Sequence, residues 1–266
     1  MVTASRAANP AGTTPPPGLQ IVDGWKSFGH VAALRGATLT AHAGEVLAIV
    51  GDNGAGKSTL LKVLAGVHTL DTGAFTVGDR HVEKGDPRAM RDLGVATVFQ
   101  DLAIVETLDI AANMFVGQPI TTFGVFANRR AMLGEAAASL RQLGVRIPSV
   151  RVAAGELSGG QRQGVAIARA VRQNTPIILM DEPTAALGVR ETAQVGRIIR
   201  DLREQGRTVI IVCHDLEFIF EVADRIQVLR LGRTQGVRRV AETSRSEIVA
   251  LITGAQGADD AGEVVA

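Results

Sequence analysis

With 266 residues, 46% of them apolar and 21% charged, the chain has room for one large domain or two small ones and an ordinary composition for a packed core. A net charge of +1 gives no electrostatic case for nucleic acid or an anionic membrane as partner, and a single cysteine, Cys213, excludes an intrachain disulfide. The longest apolar runs, 176–180 and 208–213, are strand-sized and too short to span a bilayer.

Residues 1–18 are rich in Ala, Thr and Pro and lack an apolar signal segment, so a disordered lead is expected rather than a targeting peptide, in a cytosolic protein. Residues 19–28 and 34–40 alternate apolar and polar positions, as strands with one wet face do. Between them Phe28 opens a turn with Gly29 and His30. A buried-type run at 46–50 leads into Gly51-Asp52-Asn53-Gly54-Ala55-Gly56-Lys57-Ser58-Thr59, and an amphipathic helix is expected over 58–67. Short strand-like pieces punctuated by glycines reach Val82, a short helix follows Pro87, and a strand at 95–99 delivers Gln100 at its C-terminal end. The stretch from about 101 to 156 differs: helical spacing over 107–115 and 129–143, joined by a loop at 117–128, with no strand signal between them. This reads as a helical insertion within an α/β domain.

After Glu156 comes Leu157-Ser158-Gly159-Gly160-Gln161, opening a helical pattern expected to run to Gln173. An apolar strand at 177–180 ends in Asp181-Glu182-Pro183, an amphipathic helix covers 190–204, and a second apolar strand at 208–213 ends in His214. A strand-like stretch at 226–230 and a short helix at 246–252 complete a domain expected over 19–254, with 255–266 a flexible tail. No internal repeat is visible. Strands alternating with helices imply a mostly parallel sheet with ligands at the strands' C-terminal ends, where Gln100, Asp181 and His214 would stand beside the glycine-rich loop.

Strand, glycine-rich turn and helix in that order are the setting in which G-x-x-x-x-G-K-[ST] binds phosphate. Gly51, Gly54 and Gly56 let the backbone curl so that its N–H groups point inward, and the following helix adds its positive end. Lys57 would reach the β- and γ-phosphates of a nucleoside triphosphate, and the Ser58 hydroxyl would ligate Mg²⁺. Of the two acids closing strand 177–180, one carboxylate holds Mg²⁺ and the next orients an attacking water. A lone histidine is ordinarily structural, but His214 sits on the edge facing a γ-phosphate. Cys213, directed to the other side of its strand, reads as a small buried apolar residue. Ser158-Gly159-Gly160 is a second helix start suited to an anion, about a hundred residues from the first. One nucleotide does not easily use both within one compact domain, so the economical arrangement is ATP held by one subunit and capped by Ser158–Gly160 of another.

The series 51–59, Gln100, Leu157–Gln161, 177–182 and His214 resembles the nucleotide-binding cassette of ABC transporters over about residues 19–254, and the LSGGQ stretch separates that family from other phosphate-loop ATPases. The resemblance implies a P-loop NTPase (ABC cassette) fold: a mostly parallel central sheet, an antiparallel N-terminal β-subdomain and an inserted α-helical subdomain. It assigns Phe28 to stacking on adenine, Gln100 to Mg²⁺ and water sensing, Asp181 to Mg²⁺, Glu182 to the general base and His214 to the γ-phosphate switch. It places the residues Gly51, Asp52, Asn53, Gly54, Ala55, Gly56, Lys57, Ser58 and Thr59, together with Ser158, Gly159, Gly160 and Gln161, on the nucleotide.

Within the family, TLDIAANMFVG at 107–117 and PTAALGVRE at 183–191 are similar to monosaccharide-importer ATPases. That implies ATP and Mg²⁺ as cofactors, integral-membrane permease subunits and an extracytoplasmic sugar-binding protein as partners, and a place on the cytoplasmic face of the inner membrane. The helical insertion and the region after Gln100 would form the groove for a permease helix. Many such ATPases fuse two cassettes in one chain, whereas this one holds a single cassette and would pair with its own copy or a sister subunit. Where the family usually has Asp after Ala-Leu, this sequence has Gly188, and the comparison with the family implies that an interface hydrogen bond is missing there. Two rival readings differ in class: an exporter ATPase shares every catalytic residue, and a soluble ABC-type ATPase acting on ribosomes or DNA would show tandem cassettes, coiled-coil insertions or basic surfaces. The sugar itself is not named by these residues.

Overall fold

The computed structural model describes residues 17–122, 125–172 and 175–255. Two sheets organise it. The first is antiparallel and four-stranded, in the order β2-β1-β4-β5, built from β1 (Pro17–Phe28), β2 (Val31–His42), β4 (Thr72–Val77) and β5 (Arg80–His81). The second has six strands: β3 (Val46–Val50), β6 (Val95–Val98), β9 (Ile177–Asp181), β10 (Thr208–Val212), β11 (Arg225–Arg230) and β12 (Arg233–Arg239). Its order is β12-β11-β3-β10-β9-β6, parallel throughout except for β12 at one edge.

Strand periodicity divides the core. In β3, Val46, Ala48 and Val50 face one apolar cluster while Leu47 and Ile49 face another. The second cluster joins the antiparallel sheet (Leu19, Ile21, Leu39) to the helix α1 (Lys57–Leu64) through Leu60, Leu61 and Leu64, all fully buried. The first cluster covers the opposite face with six helices: α3 (Ile110–Met114), α4 (Arg129–Gln142), α5 (Gly159–Val171), α6 (Val189–Glu204), α7 (Leu216–Val222) and, through Ile248, α8 (Arg245–Thr253). Each buried Leu, Ile or Val here contributes about 1.5–3 kcal/mol before chain entropy is counted. Ile110, Phe115 and Leu140 of the helical stretch belong to the same cluster as Met180 and Ile211 of the sheet, so the insertion has no separate core.

Several expectations are corrected. The lead expected over 1–18 gives way to β1 at Pro17, and residues 1–16 lie outside the described residues, as do Gln173 at the expected end of α5 and 256–266 of the expected tail. A strand pair does interrupt the helical stretch: β7 (Thr121–Thr122) pairs antiparallel with β8 (Phe126–Ala127). Two-residue strands leave no measurable period, which is why pattern reading missed them. Helix α7 and the edge strand β12 were also unread. The capped start of α7, where the Asp215 carboxylate accepts from Glu217 and Phe218 N–H, was the available signal for that helix. Helices α2 (Pro87–Asp92) and α8 (Arg245–Thr253) lie within a few residues of expectation.

Candidate functional site

Register brings the expected residues to one edge. Ile49 pairs with Val212, Val212 with Asp181, and Met180 with Val98. Gly51, Glu182, His214 and Gln100 therefore all follow the sheet's C-terminal edge within two residues of a shared rung. Ligands bind at this edge in open parallel sheets.

The loop 51–56 ends with Gly56 in the left-handed region (φ 102°) as the N-cap of α1, and no side chain caps that helix. The Lys57, Ser58 and Thr59 N–H groups are left facing the loop's interior, since the first helical bond there is Leu60 N–H to Gly56 O at 2.8 Å. The Lys57 ammonium donates to the carbonyls of Gly51 (2.7 Å) and Asp52 (2.9 Å). The loop is gripped from behind. A Cβ on Gly51 would collide with the Leu229 carbonyl oxygen, and one on Gly56 would lie 2.6 Å from the Ala33 carbonyl oxygen. Gly232 N–H donates to Ala55 O at 2.9 Å, and Arg35 N–H donates to Gly232 O at 2.8 Å. The β11–β12 turn thus braces the loop, a role unread from sequence although Leu231-Gly232 marks a hairpin turn.

Asp181 and Glu182 face this loop. Burial, and behind it the Glu182 charge, pushes the Asp181 carboxyl above its ordinary range, while Lys62 and Lys57 pull it down. Lys57 is itself lowered by burial, against the pull of Glu182, Asp52 and Asp181. Glu182 occupies the left-handed region (φ 46°), uncommon for a non-glycine residue and a place where strain accumulates at working sites. Its N–H donates to Val212 O at 2.8 Å, and its Oε2 lies 2.9 Å from His214 Nδ1. The His214 side chain is 75% exposed and that of Glu182 only 16%, so the pair runs from the sheet edge out to solvent. Cys213 beneath it is fully buried, with its thiol pushed up to about 11 mainly by burial.

Gln100 is exposed on the edge, and the chain after it is held by two residues the sequence reading passed over. Arg169 of α5 donates to the carbonyls of Leu102 (2.5 Å) and Ala103 (2.9 Å). Asn113, fully buried, accepts from Val105 N–H and donates to Val105, Leu108 and Asp109 carbonyls. A buried amide inside an apolar helical run was the available signal, because such a group requires partners.

Phe28, 44% exposed, packs edge-to-face on His68 with centroids 5.0 Å apart, and the Lys26 ammonium lies 5.6 Å from its ring centre. Lys26 in turn pairs with Asp71 at 2.7 Å. The second helix start stands apart. Ser158 and Gln161 form a reciprocal capping box at the start of α5, and the Gln161 amide also donates to Arg146 O. Beside Gly159 and Gly160 lie Leu187 and Glu191 at the start of α6. Among the described residues no hydrogen bond or ion pair joins this group to the loop 51–59. Gly188 is the N-cap of α6 with ordinary backbone angles and no capping side chain, and a Cβ there would lie 2.8 Å from the Glu191 carboxylate.

Among the described residues no group of three or more His, Cys, Asp or Glu is placed to hold a metal ion. Ser58 (hydroxyl), Gln100 (amide) and Asp181 (carboxylate) carry only oxygen donors toward a metal, the chemistry Mg²⁺ would accept if phosphates completed its shell.

A family model described as ABC transporter matches residues 34–185. The xylose/arabinose import ATP-binding protein XylG of Sulfolobus acidocaldarius is 43% identical over 235 residues, 88% of this chain and 93% of that one. The fructose import ATP-binding protein FrcA of Rhizobium meliloti is 41% identical over 238 residues, 87% and 92% of the two chains. Among solved structures, the dimeric post-hydrolysis state of the ATP-binding cassette MJ0796 bound to ADP and Pi superposes with a TM-score of 0.72 at 25% identity, covering 84% of this chain and 98% of that one.

Proposed function

The chain belongs to the ABC transporter family, and from that membership we propose that it is the ATP-hydrolysing subunit driving sugar import through a membrane permease. The observation that carries the chemistry is the Glu182–His214 pair, set at 2.9 Å beside the Lys57 loop. Adenine stacks on Phe28, the triphosphate lies in the N–H groups of the loop 51–59, and Lys57 turns from its carbonyls to the β- and γ-phosphates. Glu182 takes the proton of the attacking water, and His214 holds that carboxylate in position while its second ring nitrogen meets the γ-phosphate. Mg²⁺, held by Ser58, Gln100 and Asp181, would neutralise charge on the phosphates.

Two subunits close over two ATP molecules, each cradle capped by the partner's Ser158–Gly160, as the dimeric MJ0796 cassette supports. Closing and reopening then move the permease, because ATP and its products differ in affinity for the two states. Exposed Val105, in the segment after Gln100, and exposed Val116 and Phe126 of the helical insertion offer apolar surface for a permease helix. Among the described residues no helix is long and apolar enough to cross a membrane. Attachment to the cytoplasmic face of the inner membrane runs through the permease, as the sugar-import relatives support. An extracytoplasmic sugar-binding protein supplies the substrate.

The test is reconstitution of the subunit with its permease and binding protein in proteoliposomes. Uptake of a monosaccharide that rises with ATP on the cytoplasmic side supports the reading; ATP-driven efflux, or hydrolysis indifferent to every pentose and hexose tried, contradicts it.

A further inference from the structure

Phe28 stands where β1 runs into an exposed turn, yet one loop, 65–71 between α1 and β4, grips the strand end that carries it. Asp71 is the clasp. Its N–H donates to Trp25 O at 2.8 Å, one carboxylate oxygen accepts from the Lys26 ammonium at 2.7 Å, and the other accepts from Ser27 N–H at 2.6 Å. A single residue therefore binds each of the three positions before Phe28. The Lys26 contact first, and the Ser27 N–H behind it, hold the Asp71 carboxyl below the ordinary carboxylate range, so it is charged at neutral pH.

The same loop reaches the ring. His68 meets Phe28 edge-to-face at 5.0 Å, and the Lys26 ammonium that Asp71 holds lies over the ring, 5.6 Å from its centre. The Val67 and His68 N–H groups both donate to Lys62 O, at 2.8 and 3.2 Å. Helix α1 is eight residues long, about 12 Å, and begins at Lys57. One short helix thus ties the phosphate loop at its start to the Phe28 ring at its end.

These contacts place the ring without burying it. Phe28 remains 44% exposed and the Asp71 side chain 43%, and an exposed ion pair adds little to stability. A ring free to turn at a loop edge loses rotamer entropy when a base stacks on it. A ring already fixed does not, and the saving appears as affinity.

We propose that Asp71 and His68 are positioning residues for the nucleobase, pre-setting the Phe28 ring for adenine, an assignment that rests on the adenine reading of Phe28 given above. Among the described residues no hydrogen bond or ion pair joins either side chain to the loop 51–59. Their loss should therefore weaken the hold on the base and spare the hold on the phosphates.

The test uses the full chain carrying Glu182→Gln, in calorimetric titrations with ATP and separately with inorganic tripolyphosphate, each with Mg²⁺. Phe28→Leu should weaken ATP about tenfold, within the range that stacking of a base on an aromatic ring covers. Asp71→Ala and His68→Leu should each weaken ATP about fivefold and leave tripolyphosphate within twofold. In the Phe28→Leu background neither should have a further effect, which a general loosening of the fold would not reproduce. Asp71→Ala decides; if it fails to fold, His68→Leu decides in its place. An ATP affinity unmoved by Phe28→Leu overturns the adenine reading and the proposal with it. A loss in Phe28→Leu with none in the deciding variant overturns the positioning role alone, as does an equal loss for ATP and tripolyphosphate.

Discussion

The molecule has two glycine-bearing helix starts that read alike as sequence and differ in what their N–H groups do. At α1 the N-cap is a left-handed glycine with no side chain to offer, so the orphan donors stay open and a phosphate can fill them. At α5 Ser158 and Gln161 close two of the donors on each other, leaving only the Gly159 and Gly160 N–H groups for a guest. On the function proposed above, the first start holds a triphosphate and the second stands firm while touching one. A chain with one open and one closed anion site of this kind is suited to lend the closed one to a neighbour.

The largest effect expected at the open site comes from Glu182→Gln. It removes the proton acceptor beside the cradle and leaves the cradle intact, so ATP turnover should fall roughly 10²–10⁴-fold while nucleotide binding persists, as single-turnover and binding assays would separate. A loss of only a few-fold would move the base to another group and take the chemistry away from this edge.

Next is Gly51→Ala. Its Cβ would strike the Leu229 carbonyl, so the loop must leave the β11–β12 brace. ATP affinity in a fluorescence titration should drop by roughly a hundredfold, about 2.7 kcal/mol, whereas unaltered affinity would mean that the brace does not shape the cradle.

Ser158→Ala probes the closed site. It should cost about 1 kcal/mol of stability through the lost cap, seen as a lower denaturant midpoint. The same measurement on Ser58→Ala at the open start should show far less, because no side chain caps α1 there.

The smallest effect concerns Asp181. The folded protein holds its proton more tightly than the unfolded chain does, so its contribution to stability is present below the ordinary carboxylate range and is lost as pH rises through the raised value. Asp181→Asn removes that loss. At neutral pH it should unfold roughly 2 °C higher than the parent, with hydrolysis impaired, and the gain should vanish at acid pH. A lower midpoint at neutral pH would mean that the carboxylate is stabilised by its lysine neighbours after all.

How much of this was legible follows from the range of the contacts. The loop 51–59 and the strand ends bearing Asp181 and His214 could be read because local residues make them: glycines where the chain curls, apolar runs that stop at a charge. The strands at 19–28 and 34–40 were legible from alternation, while their antiparallel pairing followed only from the family resemblance. The brace at Gly232, the Arg169 grip on Leu102 and Ala103, and the anchoring by Asn113 were not, since each joins backbone groups to partners that only folding brings near. The capping box lay in plain view as Ser158 and Gln161 three residues apart and went unread; its two reciprocal hydrogen bonds are internal and leave the Gly159 and Gly160 N–H groups open.

The central claim is that one triphosphate is held by the Lys57 start of one subunit and capped by the Ser158 start of another. It is tested most directly with Ser158→Arg, which places a bulky charge on the capping surface and leaves the cradle unaltered. The variant is measured for ATP binding, for sedimentation with ATP, and for hydrolysis with and without its permease. The account predicts bound ATP, no ATP-dependent dimer and no hydrolysis. Hydrolysis at the unsubstituted rate, both alone and with the permease, would contradict it.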